Sequence, residues 1–337
     1  MKDIVIIAAL SIGLWISSNN QNQTAFEEIC KEKVTNASSS TIVGEKGWLF
    51  LANELAHISK GKFYGTDAAK TSVCPNPDRQ DPIPAIVDFN NQLKKLGIKL
   101  YLMPVPPKAI VNANKLDASV KVNQSLYTNY KNLYSELANN GVEVIDLFPQ
   151  FTKSTANGNN TYCQQDSHWN PQGIDVASKI LSNNIKKEQW YKDYSGVKKT
   201  EKAVQKTILI DGDLKESVSN LNVPKEKISL NTFDKSSSTD KNSPVLIIGD
   251  SHTLIFHSGG DMLAENAGLS DNLAAQLGLN VDLIGVKGSG TSSVRIDLYR
   301  KAKDAEWLAK KKVIIWCFAA RDFSESKNGW RKVPVVK

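Results

Sequence analysis

Short apolar runs alternate with amphipathic stretches along most of this chain. Ile98 to Met103, Val142 to Leu147, Val245-Leu-Ile-Ile248, Val281 to Val286 and Val313 to Cys317 each have strand length. Between them lie helical periodicities. Asp81-Pro82 supplies an N-cap followed by an N1 proline, and Ile83, Ile86, Phe89, Leu93 and Leu96 then fall on one face until Gly97. A second helix is predicted from Gln124 to Asn139, with Leu126, Tyr130, Leu133 and Leu137 on one side, and a third from Pro171 to Ile185, capped by Asn170. Further helical stretches lie near Ser270 to Leu277 and Ser292 to Lys310.

Strands that alternate with helices predict a parallel sheet covered on both sides, hence a three-layer α/β/α domain. Val245 to Ile248 is almost wholly apolar, as a strand buried on both faces must be. Gly44-Glu-Lys-Gly-Trp-Leu-Phe-Leu51 reads as a turn entering a short strand. Residues 186–243 break the rhythm with serine- and lysine-rich sequence around a strand at Thr207 to Ile210, and are expected to form a polar insertion or lid. The chain contains no detectable repeat.

The amino terminus has a different pattern. Lys2 precedes an apolar run from Ile4 to Ile16, and Ser17 to Gln23 is polar. The layout predicts an export signal, or an N-terminal membrane anchor, within residues 1–23, leaving 24–337 as the main domain. The run is 13 residues long, short of the roughly 20 a helix needs to cross a bilayer. Export makes Cys30, Cys74, Cys163 and Cys317 candidates for two disulfides, for which three pairings exist. The net charge of +7 invites a search for a nucleic-acid face, but lysines and acidic residues interleave throughout, so no nucleic-acid partner is expected.

In an open parallel sheet, functional groups gather beyond the carboxyl ends of the strands. Gly249-Asp-Ser-His252 follows the buried strand, so Ser251 would stand at a helix amino terminus, where backbone N–H groups can receive an oxyanion. The alternative is a simple helix cap, a common role for serine. Asp166-Ser-His-Trp169 places a carboxylate and an imidazole two positions apart, before the helix capped by Asn170. A serine hydroxyl needs a base to accept its proton, and an imidazole serves best when a carboxylate fixes its tautomer. Asp166 and His168 can supply both. Of the other histidines, His57 and His257 lack an adjacent carboxylate, and the His252 side chain is expected to diverge from Ser251. A metal set of Cys163, Asp166, His168 and His252 would lack a helical His-x-x-x-His pair, so no metal or other cofactor is expected.

Gly44 to Leu51, Pro104-Val-Pro-Pro-Lys108, Asp166-Ser-His-Trp169 and Gly249-Asp-Ser-His252, in that order, resemble the SGNH-like domain of the AlgX/AlgJ group of polysaccharide O-acetyltransferases. The resemblance covers roughly Gly44 to Arg321. In that group the Asp-x-His-Trp block precedes the serine, the reverse of ordinary SGNH esterases, and this chain has the group's order. The resemblance implies Ser251 as nucleophile with His168 and Asp166, a polysaccharide acceptor, and a membrane-bound acyltransferase partner in the cell envelope or periplasm. By analogy with SGNH enzymes, Ser251 N–H and Gly288 would form the oxyanion hole, although the usual Gly-x-Asn-Asp block is absent. Arg321, after the last strand, and Trp169, as a stacking face, are candidates for substrate binding, each with a structural alternative: a salt bridge or packing. Two other functions compete: an acetyl esterase using the same residues, and a non-catalytic polysaccharide-binding assembly subunit.

Overall fold

The computed structural model describes residues 21–196, 202–218, 221–233 and 240–337. The apolar run Ile4 to Ile16, and with it most of the expected signal or anchor, lies outside the described residues. Among those described, no helix is long and apolar enough to cross a membrane.

The described residues form nine strands: β1 Thr41–Val43, β2 Leu49–Leu51, β3 Lys99–Val105, β4 Glu143–Val144, β5 Val204–Ile210, β6 Glu226–Thr232, β7 Val245–Gly249, β8 Asp282–Gly285 and β9 Val313–Ala319. Five of them make one sheet in the order β4-β3-β9-β7-β8, with every neighbouring pair parallel. β9 is the central strand, and all seven of its residues are buried. That explains why it reads as an unbroken apolar run. The predicted strand Val142 to Leu147 shrinks to two residues, because this edge strand bonds only to Tyr101 and Leu102 of β3.

Helices cover the sheet. In helix Pro82–Lys95 the Asp81 carboxylate accepts from the Ile83 N–H at 3.2 Å, and Ile86, Phe89 and Leu93 are buried, with Phe89 edge-on to Trp316 of β9. Helix Pro171–Ile185 starts where the Asn170 side chain accepts from the Gly173 N–H at 3.0 Å, and it buries Ile174, Ala177, Leu181 and Ile185. The helical stretch expected near Ser292 to Lys310 consists of two helices, Ser292–Lys301 and Ala305–Ala309, the second capped by Asp304. One large apolar core joins these layers to the amino-terminal segment and β2.

Because all five core strands are parallel, the segments after β3, β7, β8 and β9 emerge at one end. The described part of the polar stretch 186–243 contributes the antiparallel pair β5–β6. This pair packs on helix Pro171–Ile185 and sends its connecting residues against the loop before that helix.

All four cysteines carry free, buried thiols, which corrects the expectation of two disulfides. They sit on separate elements: Cys30 in the first helical segment, Cys74 in the loop before Pro82, Cys163 before the Asp-x-His-Trp block, and Cys317 inside β9. The Cys163 and Cys74 sulfurs face backbone oxygens, of Trp169 and Asn76, instead of another sulfur.

Candidate active site

β7 runs into Gly249, where a Cβ would lie 2.0 Å from the Cys317 carbonyl oxygen, so only glycine lets β7 and β9 close up here. The turn that follows is a three-residue 3₁₀ turn, Ser251–Thr253, in place of the expected helix, and its cap is Asp250 instead of Ser251. One Asp250 oxygen accepts from the N–H of His252 at 2.8 Å, and the other from the N–H of Ala319 at the end of β9, at 2.7 Å. Asp250 therefore fixes the turn to the central strand and leaves Ser251 half-exposed on top.

The loop from Tyr162 to Trp169 closes on itself through a β-bridge between those two residues. It brings His168 Nε2 to 2.7 Å from Ser251 Oγ, while His168 Nδ1 lies 2.7 Å from Asp166 Oδ1. Asp166 Oδ1 also accepts from the His168 N–H, and Oδ2 from the N–H of Asp213. Burial alone would raise the Asp166 pKa, but the hydrogen bond and charge of His168 outweigh it and hold the carboxyl below its ordinary range. Burial likewise opposes an imidazolium at His168. The bond to Asp166 and the charges of Asp166, Asp213 and Asp250 overcome that penalty, and its pKa is raised.

Three residues here were not foreseen. Asp213 accepts from the Ser167 N–H at 2.7 Å and from its hydroxyl at 2.6 Å, and Glu226 accepts from the N–H groups of Gln164 and Gln165. Gly212 lies so close that a Cβ would meet the Gln165 carbonyl oxygen at 2.2 Å. The polar stretch thus braces the loop. His252, whose side chain was expected to diverge from Ser251, is buried with its ring 4.8 Å from that of His168 and its Nδ1 3.1 Å from Asp250. Burial lowers its pKa.

Trp169 is fully buried, so it offers no stacking face to a sugar; its indole N–H donates instead to the His252 carbonyl at 3.1 Å. Gly288 lies in an exposed turn with φ +69°, where an added Cβ would meet nothing within 4 Å. Gly290 packs against Phe318 and Asp250 in its place. The Ser251 N–H has no partner among the described residues. Arg321, half-buried after β9, forms no ion pair among the described residues, although its charge helps hold the Asp250 carboxyl low and opposes the burial that raises Glu54.

Asp166, His168 and Asp213 place possible ligand atoms within 4.8 Å of one another. These atoms are already spent: Nδ1 and Oδ1 on each other, and the Asp213 oxygens on Ser167. Cys163 lies apart as a buried thiol turned to Trp169. The donor set does not fit a metal ion.

A parallel five-stranded sheet between helices, carrying a hydrogen-bonded Ser, His and Asp beyond its strand ends, is an SGNH-hydrolase-like domain. The chain belongs to the family described as SGNH hydrolase-like domain, acetyltransferase AlgX, whose model matches residues 41–320. It is 30% identical over 104 residues to the alginate biosynthesis protein AlgX of Pseudomonas putida. That stretch is 29% of this chain and 22% of the relative, so the chain spans under a quarter of the length of the curated relatives it matches. Among solved structures, the O-acetyltransferase domain of Pseudomonas putida AlgJ superposes with a TM-score of 0.63 at 20% identity, over 85% of this chain and 92% of that one. AlgX of Pseudomonas aeruginosa gives 0.58 at 17% identity, over 83% and 61%. These likenesses show the fold.

Proposed function

We propose that this domain transfers acetyl groups through Ser251 to hydroxyls of an exported polysaccharide. The observation that carries the reading is the continuous hydrogen-bonded line from Ser251 Oγ through both nitrogens of His168 to Asp166. In the first half-reaction Ser251 Oγ attacks the carbonyl carbon of an acetyl donor and its proton passes to His168 Nε2. Asp166 steadies the imidazolium, and His168 then protonates the leaving group. In the second, a sugar hydroxyl gives its proton to His168 and attacks the acetyl-serine carbonyl, and Ser251 Oγ leaves with the proton that His168 returns. The unpartnered Ser251 N–H supports an oxyanion contact, and the unpaired Arg321 supports a role in holding donor or acceptor. The family membership and the alginate-biosynthesis relatives support a polysaccharide acceptor; an acceptor outside the cytoplasm and a membrane-bound acyltransferase as acetyl source complete the proposal.

Mass spectrometry after exposure to an activated acetyl ester tests the reading. The expected result is one acetyl group on Ser251, absent in Ser251→Ala and His168→Ala, that moves to an added oligosaccharide. Absence of the adduct from the wild type would overturn the chemistry and leave a binding subunit. Release of acetate alone, even with oligosaccharide present, would make water the acceptor and the protein an acetyl esterase.

A further inference from the structure

The Lys108 side chain is buried to 1% exposure, yet among the described residues no carboxylate pairs with it; its three hydrogen-bond acceptors are all backbone carbonyls. Nζ donates to Leu49 at 2.6 Å, Gln164 at 3.1 Å and Asp166 at 2.9 Å. Burial pulls the Lys108 pKa down, but three carbonyl acceptors match the three N–H bonds of an ammonium, one more than a neutral amine has. The cation sits 5.4 Å from the Trp48 ring and 5.2 Å from the Phe50 ring, which adds aromatic faces to the carbonyl dipoles. A buried charge is tolerated only when its hydrogen-bonding capacity is filled, and here it is filled by the two segments it joins. Neither the Asp166 loop nor β2 shares a ladder with β3, and Lys108 is held at the end of β3 by a turn whose Ala109 N–H donates to buried Glu54 at 2.9 Å.

We infer that Lys108 is a positioning residue for acyl transfer, whose ammonium fixes the Asp166 main chain to the end of β3 and so sets the Asp166–His168 contact. Asp213 and Glu226 hold the same loop from the solvent side, and Lys108 holds it from within. The inference rests on the acyl-transfer reading above, and it accounts for a lysine at the end of Pro104-Val-Pro-Pro-Lys108 that touches no reacting atom.

Lys108→Met keeps the apolar stem beside Trp48 and Phe50 and deletes the three donors. Lys108→Gln keeps a neutral donor and is the second variant should the first not fold. With 4-nitrophenyl acetate, kcat is expected to fall about 100-fold, as for a misplacement of about 1 Å, with KM nearly unchanged. In parallel, the downfield proton resonance of the His168 Nδ1–H, assigned by its loss in Asp166→Asn, is expected to shift or vanish in either folded variant. A folded Lys108 variant that keeps both turnover and that resonance overturns the inference. Failure of the acyl-transfer reading is seen separately: Ser251→Ala would then match the wild type in turnover, whereas the resonance reports loop geometry whatever the chemistry.

Discussion

Trp169 donates its indole N–H to the backbone carbonyl of His252, 3.1 Å away, and so joins the loop that carries His168 to the turn that carries Ser251. The two segments are far apart in sequence and meet only at the carboxyl end of the sheet. Edge-on packing of Trp169 against His252, with ring centroids 5.6 Å apart, reinforces the junction. Both residues are buried, so the junction helps hold His168 at its distance from Ser251.

Trp169→Phe keeps an aromatic body but leaves the His252 carbonyl without its donor. An unsatisfied buried acceptor costs about 1–3 kcal/mol. Denaturant unfolding should show a loss of that order. Acetyl-enzyme formation on Ser251 should slow at the same time, because the junction also sets the 2.7 Å approach of His168 to Ser251. Unchanged rates in a destabilised Trp169→Phe would show that the junction serves stability alone.

The pH dependence follows from the charges around His168. Its imidazole accepts the Ser251 proton only when neutral, and its pKa is raised above the ordinary 6.5. Acylation should therefore increase with pH through a midpoint above 6.5. Asp213 is one of the charges that raise it, so Asp213→Asn should move the midpoint down. The same raised pKa means that the stability contributed by the charged His168 is complete below its unfolded value and disappears as pH rises through the folded one. Rate profiles of the two proteins, with His168 followed by NMR, give the check; a midpoint unmoved in Asp213→Asn would remove Asp213 from the electrostatics of the site.

Local sequence carried much of this site and missed what comes from a distance. Gly249-Asp-Ser-His252 is readable because an apolar strand must end there, and Asp166 and His168 because a capped helix follows them. The helix expected after Ser251 is a 3₁₀ turn, since Asp250 spends its side chain on His252 and Ala319 and closes the turn early. Asp213 and Glu226 left no readable signal: they reach the site from a polar hairpin, 46 and 62 residues from the main-chain N–H groups they accept from. β9 was legible as a strand because it is apolar on both faces, whereas β4 was overdrawn because only its partner decides where an edge strand stops bonding.

The cysteines are where a compartment argument went furthest from the structure. A disulfide needs Cα atoms within about 7 Å and facing Cβ vectors, and these four residues are distributed over separate, buried elements. Burial raises the thiol pKa of Cys30, Cys163 and Cys317, which suppresses the reactive thiolate. A thiol reagent should therefore find almost nothing in the native protein and all four groups in denaturant without prior reduction. Fewer than four on unfolding would restore a disulfide.

At the opposite end of the sheet, Lys311 and Asp282 form a buried ion pair of 2.8 Å, with side-chain exposures of 0% and 2%. Asp282 Oδ2 also accepts from the Trp307 indole at 2.7 Å, and Lys311 Nζ donates to the carbonyls of Lys241 and Ser243. The pair joins the starts of β8 and β9, far along the strands from Ser251. Lys311→Met would leave the Asp282 carboxylate only the half-exposed Lys301, 3.2 Å away, as its cation, so the loss should be at or below the ~3–5 kcal/mol that breaking a fully buried pair costs. Replacing both, as Lys311→Met with Asp282→Leu, should recover part of that loss because no buried charge is left without its partner, and Lys301, which also pairs with Asp282, reaches solvent. In protein that stays folded, acetyl-enzyme formation should equal the wild type in both variants, since nothing in the Asp166–His168–Ser251 line touches this end. Chemical denaturation paired with adduct formation separates the two effects, and a slowed adduct in the folded double variant would mean that strand starts and strand ends are coupled through β9.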